Sequence, residues 1–155
     1  MNKIPGIAGF LGASLILGTF LYLALHYPNL PPEIPRHYNL QGEPDAWAHK
    51  GIIWILPVLS LFLFVGLMLL ARYPQLFNYA VEIHDNNRTH QYRLAQSLVA
   101  LIALITTLIF AYLSYGTIEV GRGNWVELNP WFTVLMIGLI FMVMIFYLIL
   151  SKRSA

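Results

Sequence analysis

Residues 128–151, LNPWFTVLMIGLIFMVMIFYLILS, contain no Asp, Glu, Lys or Arg. About 20 consecutive apolar residues cross the hydrocarbon layer of a bilayer as a helix, so this segment predicts a transmembrane span. Three more uncharged segments precede it, at residues 4–32, 51–71 and 94–118. Only 10% of the side chains are charged, against about 25% in an ordinary soluble domain. This pattern argues against a soluble enzyme, a disordered regulator and a nucleic-acid-binding protein.

The predicted fold is all-α, an integral membrane four-helix bundle formed by residues 1–155 as a single membrane domain. Prolines and charged residues set the ends of the spans, with Pro57 near the start of the second and Pro130 at the first position of the fourth. The end of the first span lacks a small-x-small cleavage site, so we expect it to remain uncleaved. The spans are expected at about 4–26, 51–71, 94–115 and 130–150.

Basic residues indicate the orientation, because Lys and Arg in short loops stay on the cytoplasmic side. With four spans, both termini share a side with the loop between the second and third spans. Six basic residues lie on that side and three on the other: Lys3, Arg72, Arg88, Arg93, Lys152 and Arg153 against Arg36, Lys50 and Arg122. The sequence therefore predicts that both termini are cytoplasmic and that the loop between the first two spans is outside.

The loop between the second and third spans, residues 72–93, shows a two-residue alternation of side-chain character. Its apolar members are Phe77, Tyr79, Val81 and Ile83, which alternate with polar residues such as Asn78, Glu82 and His84. This period predicts an extended segment with one apolar face. Since an isolated strand is at best marginally stable, it either lies along the inner interface or pairs with a second subunit. The segment 85–87 then offers caps for a helix that begins before the bilayer and continues as the third span.

The loop between the first two spans, residues 28–50, contains several residues that fix backbone shape. Prolines within 31–35 predict a stiff, extended, polyproline-like rod. A turn follows, in which Gly42 is expected to take a positive φ. Asp45 is predicted to cap a short helix leading into the second span, and Lys50 to reach the lipid headgroups.

This loop also resembles a known family. Its pattern is Leu30-Pro31 … Ile34-Pro35-x-His37-Tyr38-Asn39 … Gly42-Glu43-Pro44-Asp45-x-Trp47-x-x-Lys50, and a span with Pro57 follows at once. The pattern is similar to a widespread bacterial membrane domain of unknown function, which also forms the N-terminal part of the immunity proteins that protect Sdp-toxin producers. A later segment resembles short, stand-alone members of that group: Asn78-Tyr79 … Asn87 … Gln91-Tyr92-Arg93-Leu94-Ala95. The resemblance implies a multi-pass protein of the bacterial cytoplasmic membrane.

The expected function is that of a membrane accessory or immunity-like protein, not an enzyme, whose outer loop binds a toxin peptide or a partner protein. The predicted binding residues are Pro31, Pro35, His37, Tyr38, Asn39, Gly42, Pro44, Asp45, Trp47 and Lys50. Two alternatives stay open, a small homo-oligomeric transporter or channel and a subunit of a larger membrane complex. The expected partners are the lipid bilayer and a peptide, a membrane protein or further copies of the chain, and no nucleic acid.

Metal binding and catalysis are not expected. The outer side combines imidazoles and carboxylates of a type that suits zinc, but their spacing matches no standard metal motif: His26, His37, His49, Glu33, Glu43 and Asp45. Hydrogen bonding is the expected role of these groups, with proton sensing as an alternative. We expect no cofactor and no catalytic residue, because no nucleophile lies at a suitable spacing from a base. Small residues in the spans should permit close helix packing: Gly9, Gly12, Gly18 and Gly138.

Overall fold

The computed structural model describes residues 3–154, which form four long helices and one small sheet. In chain order the elements are α1 (Ile4–His26), β1 (Glu33–Tyr38), β2 (Pro44–His49), α2 (Ile55–Leu70), α3 (Arg88–Gly121) and α4 (Pro130–Arg153). Together with the 3₁₀ turn Lys50–Trp54 that precedes α2, these helices give four segments long and apolar enough to cross a membrane. The chain is a multi-pass integral membrane protein, and the predicted all-α bundle is confirmed.

The helix ends follow local chemistry. α1 has the predicted bounds, and a 3₁₀ turn at Tyr27–Asn29 leads from it to the proline-containing segment. Pro57 lies in the first turn of α2, where its missing N–H removes no intrahelical hydrogen bond. Pro130 begins α4 as predicted, and the Asn129 side chain accepts a hydrogen bond from the Trp131 N–H at 3.0 Å. Asn129 therefore caps α4 in the usual way.

α3 extends beyond the predicted span at both ends. Its first turns precede residue 94, as expected for a helix that begins before the bilayer. Its last turns continue past the predicted end at residue 115, because their side chains are enclosed by neighbouring segments: Gly116, Thr117, Ile118, Glu119 and Val120 are all buried. The prediction that the helix ends at 115 was wrong, since α3 continues to Gly121 and Glu119 is a buried residue within it.

α3 is the central helix of the bundle. α1 and α2 pack on it and on each other, while α4 packs mainly against α3 alone. Gly9 and Gly12 allow α2 to approach α1, since a Cβ built at Gly12 would lie 2.2 Å from the ring of Phe64. The predicted packing role is confirmed for these two glycines. It is wrong for Gly18 and Gly138, where no described neighbour lies within 4 Å of a Cβ.

Residues 33–49 form an antiparallel β-hairpin instead of a rod followed by a helix. The register pairs Glu33 with His49 and Pro35 with Trp47, and it is irregular around His37. The predicted helix cap at Asp45 is therefore wrong, because Asp45 lies within β2. In β2, exposed and half-buried side chains alternate, but its inward members are small residues, which give only a weak apolar signal in the sequence.

Two contacts define the ends of the bundle. At one end, the Leu128 N–H in the loop 122–129 donates to the Gly42 carbonyl in the hairpin at 2.8 Å. At the other end, the Gln91 side chain of α3 donates to the Ser151 carbonyl of α4 at 2.9 Å. We call these the hairpin end and the terminal end.

The loop 71–87 at the terminal end contains a 3₁₀ turn, Pro74–Leu76, and no strand. The predicted apolar face is nevertheless present. The residues that alternate with it are exposed, whereas its apolar members are half-buried: Phe77, Tyr79, Val81 and Ile83. No other described segment pairs with it, so its extended backbone is not part of a sheet. Asn87 directly precedes α3, but its side chain accepts from the His84 N–H at 2.9 Å and caps no helical N–H.

Candidate functional site at the hairpin end

An apolar cluster beneath the hairpin fixes it to the helices. Ile34 of β1 is fully buried. It packs against residues of α1, the segment before β1, the 3₁₀ turn before α2, and α3: Leu23, Leu30, Ile53 and Ile118. Gly121 leaves room for this side chain, since a Cβ there would lie 3.0 Å from Ile34 Cγ2. Full burial of such a side chain contributes about 1.5–3 kcal/mol, so the hairpin is held as a platform and not as a mobile loop.

Two polar side chains anchor the hairpin, Tyr38 at the end of β1 beside the tip and Lys50 directly after β2. The Tyr38 hydroxyl donates to Thr117 Oγ1 of α3 at 3.1 Å, and burial raises the pKa of Tyr38. Lys50 Nζ donates to the carbonyls of Tyr27 at 3.3 Å and Leu30 at 3.2 Å, and it lies 4.9 Å from the centroid of the Tyr27 ring. The prediction that Lys50 reaches the headgroups is therefore wrong, because nearby carbonyls and an aromatic face bind its ammonium group.

The tip of the hairpin is a turn closed by its own side chains. Asn39 Oδ1 accepts from the N–H groups of Gln41 at 2.9 Å and Glu43 at 3.0 Å. Gly42 has a φ of 90°, which confirms the predicted positive value. A Cβ at Gly42 would lie 1.9 Å from the Leu128 carbonyl oxygen. Asn39 and Gly42 thus shape the tip and dock it on the neighbouring loop.

The predicted binding residues separate into two groups by exposure. Those that shape or anchor the hairpin are buried or half-buried: Pro31, Pro35, Tyr38, Asn39, Gly42, Pro44 and Lys50. The other three, His37, Asp45 and Trp47, are exposed. His37 Nδ1 lies 2.6 Å from Asp45 Oδ1, and Trp47 follows Asp45 on the same side of β2. These three residues form the outward surface of the hairpin, which we call the display face.

A cleft of about 570 Å³ opens beside the hairpin tip, lined by residues from the tip, the loop 122–129 and the start of α4: Leu40, Gln41, Glu127, Asn129, Pro130 and Trp131. Leu40 is 92% exposed and Trp131 69% exposed. Large exposed apolar side chains beside polar ones are typical of surfaces that contact another molecule. We call this feature the tip cleft.

The three histidines on this side have separate local partners. His26 Nδ1 lies 2.8 Å from the Tyr22 carbonyl oxygen, and His49 Nδ1 accepts from the Gly51 N–H at 3.1 Å. His37 pairs with Asp45. Within residues 3–154, no three His, Cys, Asp or Glu side chains are grouped so that they can hold a metal ion.

Sequence reasoning missed a buried polar cluster below the hairpin. Glu119 of α3 is 7% exposed, and its carboxylate accepts from the Tyr22 hydroxyl, from Asn124 Nδ2 at 2.7 Å and from Arg122 Nη1 at 3.3 Å. The cluster connects α1, α3 and the loop 122–129. The spacing of Glu119 and Arg122, three residues apart at the end of a helix, was the available signal.

The chain is similar to proteins of unknown function. Residues 14–61 match a domain described as Domain of unknown function (DUF1648), a match that spans most of α1, the whole hairpin and the start of α2. A protein of Archaeoglobus fulgidus described as uncharacterized is 27% identical over 151 residues, covering 88% of this chain and 81% of the relative. No solved structure matches the chain. The expected resemblance to a domain of unknown function is thus confirmed over the segment that contains the hairpin.

Proposed function

We propose that the chain is a non-enzymatic accessory or immunity-like protein of the cytoplasmic membrane, whose display face binds a peptide, a toxin or a partner protein. In this proposal the hairpin end faces outward and both termini face the cytoplasm. The larger number of Lys and Arg residues at the terminal end supports this orientation.

The display face carries the proposal. Trp47 is 50% exposed and lies beside the exposed His37–Asp45 pair, on a hairpin that buried residues hold against α3. Exposed Trp side chains contribute a large share of the binding energy at protein interfaces. A surface that is already ordered loses little conformational entropy when it binds. The tip cleft lies at the same end of the molecule and adds exposed apolar side chains to the available binding surface. Such a surface suits a polypeptide that is partly apolar.

The nature of the bound polypeptide rests on the resemblance of the hairpin sequence. Its residues from Leu30 to Lys50 are similar to the loop of the Sdp immunity proteins, which supports a secreted peptide toxin as the ligand. The chain would then act by binding the toxin at the outer surface of the membrane.

Photo-crosslinking in intact cells tests whether the display face contacts a polypeptide. A photoreactive amino acid at position 47 should give adducts with a polypeptide, and His37→Ala or Asp45→Asn should reduce their yield. The matched control is the same amino acid at Tyr73, an aromatic residue 52% exposed at the terminal end. Adducts with lipid alone at position 47 would contradict the proposal.

Survival in the presence of purified Sdp toxin tests the immunity role. Sensitive cells that express the chain should survive, and Trp47→Ala should weaken toxin binding about 30-fold and remove the protection. Leu135→Ala on the exposed face of α4 is the control and should protect fully. If the native chain gives no protection while position 47 crosslinks to another protein, the immunity role is wrong and the accessory role stands.

A homo-oligomeric transporter or channel has less support. The hydroxyls of Thr19 and Thr107 donate to main-chain carbonyls of their own helices, each at 2.8 Å, so they are engaged within the span. Solute flux into liposomes that contain the purified protein, absent from empty liposomes, would favour transport. A subunit of a larger complex would use the same display face, and the identity of the crosslinked protein would show it.

A further inference from the structure

A groove of about 360 Å³ lies between β1, the start of α2 and α3. This volume falls within the range of about 300–1,000 Å³ that is typical of small-molecule sites. The groove walls are mostly apolar and include Ile52, Ile55, Leu56 and Leu113. Arg36 and His37 of β1 lie at its rim.

The polar groups along the groove have protein partners, with one exception. The Tyr38 hydroxyl bonds to Thr117 Oγ1, and the His37 ring bonds to Asp45. Arg36 is exposed, and within residues 3–154 its guanidinium has neither a carboxylate nor a carbonyl partner. The groove therefore offers an apolar channel with one unpaired cation at its edge.

The position of the groove restricts its occupant. Its apolar walls belong to membrane-spanning segments, Lys50–Leu70 and Arg88–Gly121, whereas Arg36 belongs to the hairpin beyond them. Ile55 is 62% exposed, so the groove is open on the side that faces lipid. A suitable occupant is apolar along the helices and anionic where it meets Arg36.

We propose that the groove binds one phospholipid with an anionic headgroup. The lipid phosphate would receive hydrogen bonds from the Arg36 guanidinium, whose planar fork suits phosphate oxygens. One acyl chain would lie against Ile55, Leu56 and Leu113. The groove meets the display face at His37, but lipid binding in the groove does not require a polypeptide at the display face. A bound lipid would also pack against β1.

Native mass spectrometry of the purified protein tests the headgroup preference. The protein is equilibrated with equal amounts of phosphatidylglycerol and phosphatidylcholine, and the lipids that stay bound are identified and quantified from the masses of the complexes. The native chain should retain phosphatidylglycerol preferentially, and Arg36→Gln should lower this preference about fivefold. Arg153→Gln makes the same charge change at the terminal end and should leave the preference unchanged. Equal retention of both lipids by the native chain, or an unchanged preference in Arg36→Gln, would overturn the proposal.

A second pair of variants tests the apolar part of the groove. Leu113→Trp should fill the groove and reduce retention of both lipids, whereas Leu135→Trp on the exposed face of α4 should not. Circular dichroism and thermal unfolding establish whether Leu113→Trp folds. Arg36→Gln changes an exposed position, so it tests the proposal even if Leu113→Trp does not fold. If Leu113→Trp keeps its lipid and instead loses polypeptide crosslinking at position 47, the groove holds a polypeptide and the lipid proposal is wrong.

Discussion

At the scale of single residues, Gly42 and Glu119 connect segments that are distant in sequence. Gly42 has a φ of 90°, and the Leu128 carbonyl fills the space where a side chain would lie. Glu119 of α3 receives hydrogen bonds from Tyr22 of α1 and from Arg122 and Asn124 of the loop 122–129. Both residues therefore hold the hairpin end together, although neither belongs to the display face.

Substitution of Gly42 by Ala should lower the free energy of unfolding by about 2–3 kcal/mol. An L-residue at positive φ costs about 1–2 kcal/mol, and the contact with Leu128 adds to this cost. Gly123→Ala is the matched control, because Gly123 has a φ of 77° and no neighbour within 4 Å of a Cβ. Gly123→Ala should therefore lower the free energy of unfolding only by the cost of an L-residue at positive φ. Thermal unfolding in detergent, followed by Trp fluorescence, measures both, and equal losses would contradict the predicted docking of the tip.

Substitution of Glu119 by Ala should also destabilise the protein, by about 2 kcal/mol. Loss of one partner in a buried charged pair costs about 3–5 kcal/mol, and this value is reduced because the Arg122 side chain is 34% exposed. Glu127→Ala in the same loop removes an exposed carboxylate and should change stability by less than about 0.5 kcal/mol. Chemical unfolding of both variants measures the difference, and similar stabilities would show that the polar cluster contributes nothing.

At the scale of elements, the sequence predicts the helices well and the hairpin poorly, for a physical reason. Each helix contains one long uncharged segment, so composition and the positions of Pro57 and Pro130 predict all four helices, although not the full length of α3. The hairpin forms because residues 33–38 pair with residues 44–49 and pack on α3, and neither contact is visible in a local pattern. Glu119 is covered by Tyr22 of α1 and by the loop 122–129, so its burial also depends on contacts that its local sequence does not show.

α4 depends on few elements, which makes its attachment at the terminal end testable. Gln91 is fully buried, and its side chain donates to the Ser151 carbonyl and accepts from the Ser151 hydroxyl at 2.7 Å. Gln91→Ala should cost about 1–3 kcal/mol, because it leaves these groups without a partner. Hydrogen exchange should increase at the last turns of α4. His90→Ala, at the exposed neighbouring position, is the control. Equal protection of α4 from hydrogen exchange in both variants would contradict the predicted attachment of α4 through Gln91.

At the scale of the whole molecule, the candidate sites gather at one end. The display face, the tip cleft and the groove all adjoin the hairpin, whereas the terminal end carries most of the basic residues. α4 presents apolar side chains along its outward face, as expected where lipid surrounds a helix. The proposed activities at the hairpin therefore depend on that end being outside the cell.

Cysteine labelling in intact cells tests this orientation most directly, because the sequence contains no Cys. Leu40→Cys places a thiol at a position that is 92% exposed at the hairpin tip, and Gln75→Cys places one at an exposed position of the terminal end. A maleimide that cannot cross the membrane should label residue 40 in intact cells and residue 75 only after permeabilisation. Labelling of residue 75 in intact cells, with residue 40 protected until the cells are opened, would contradict the proposed outward-facing display surface.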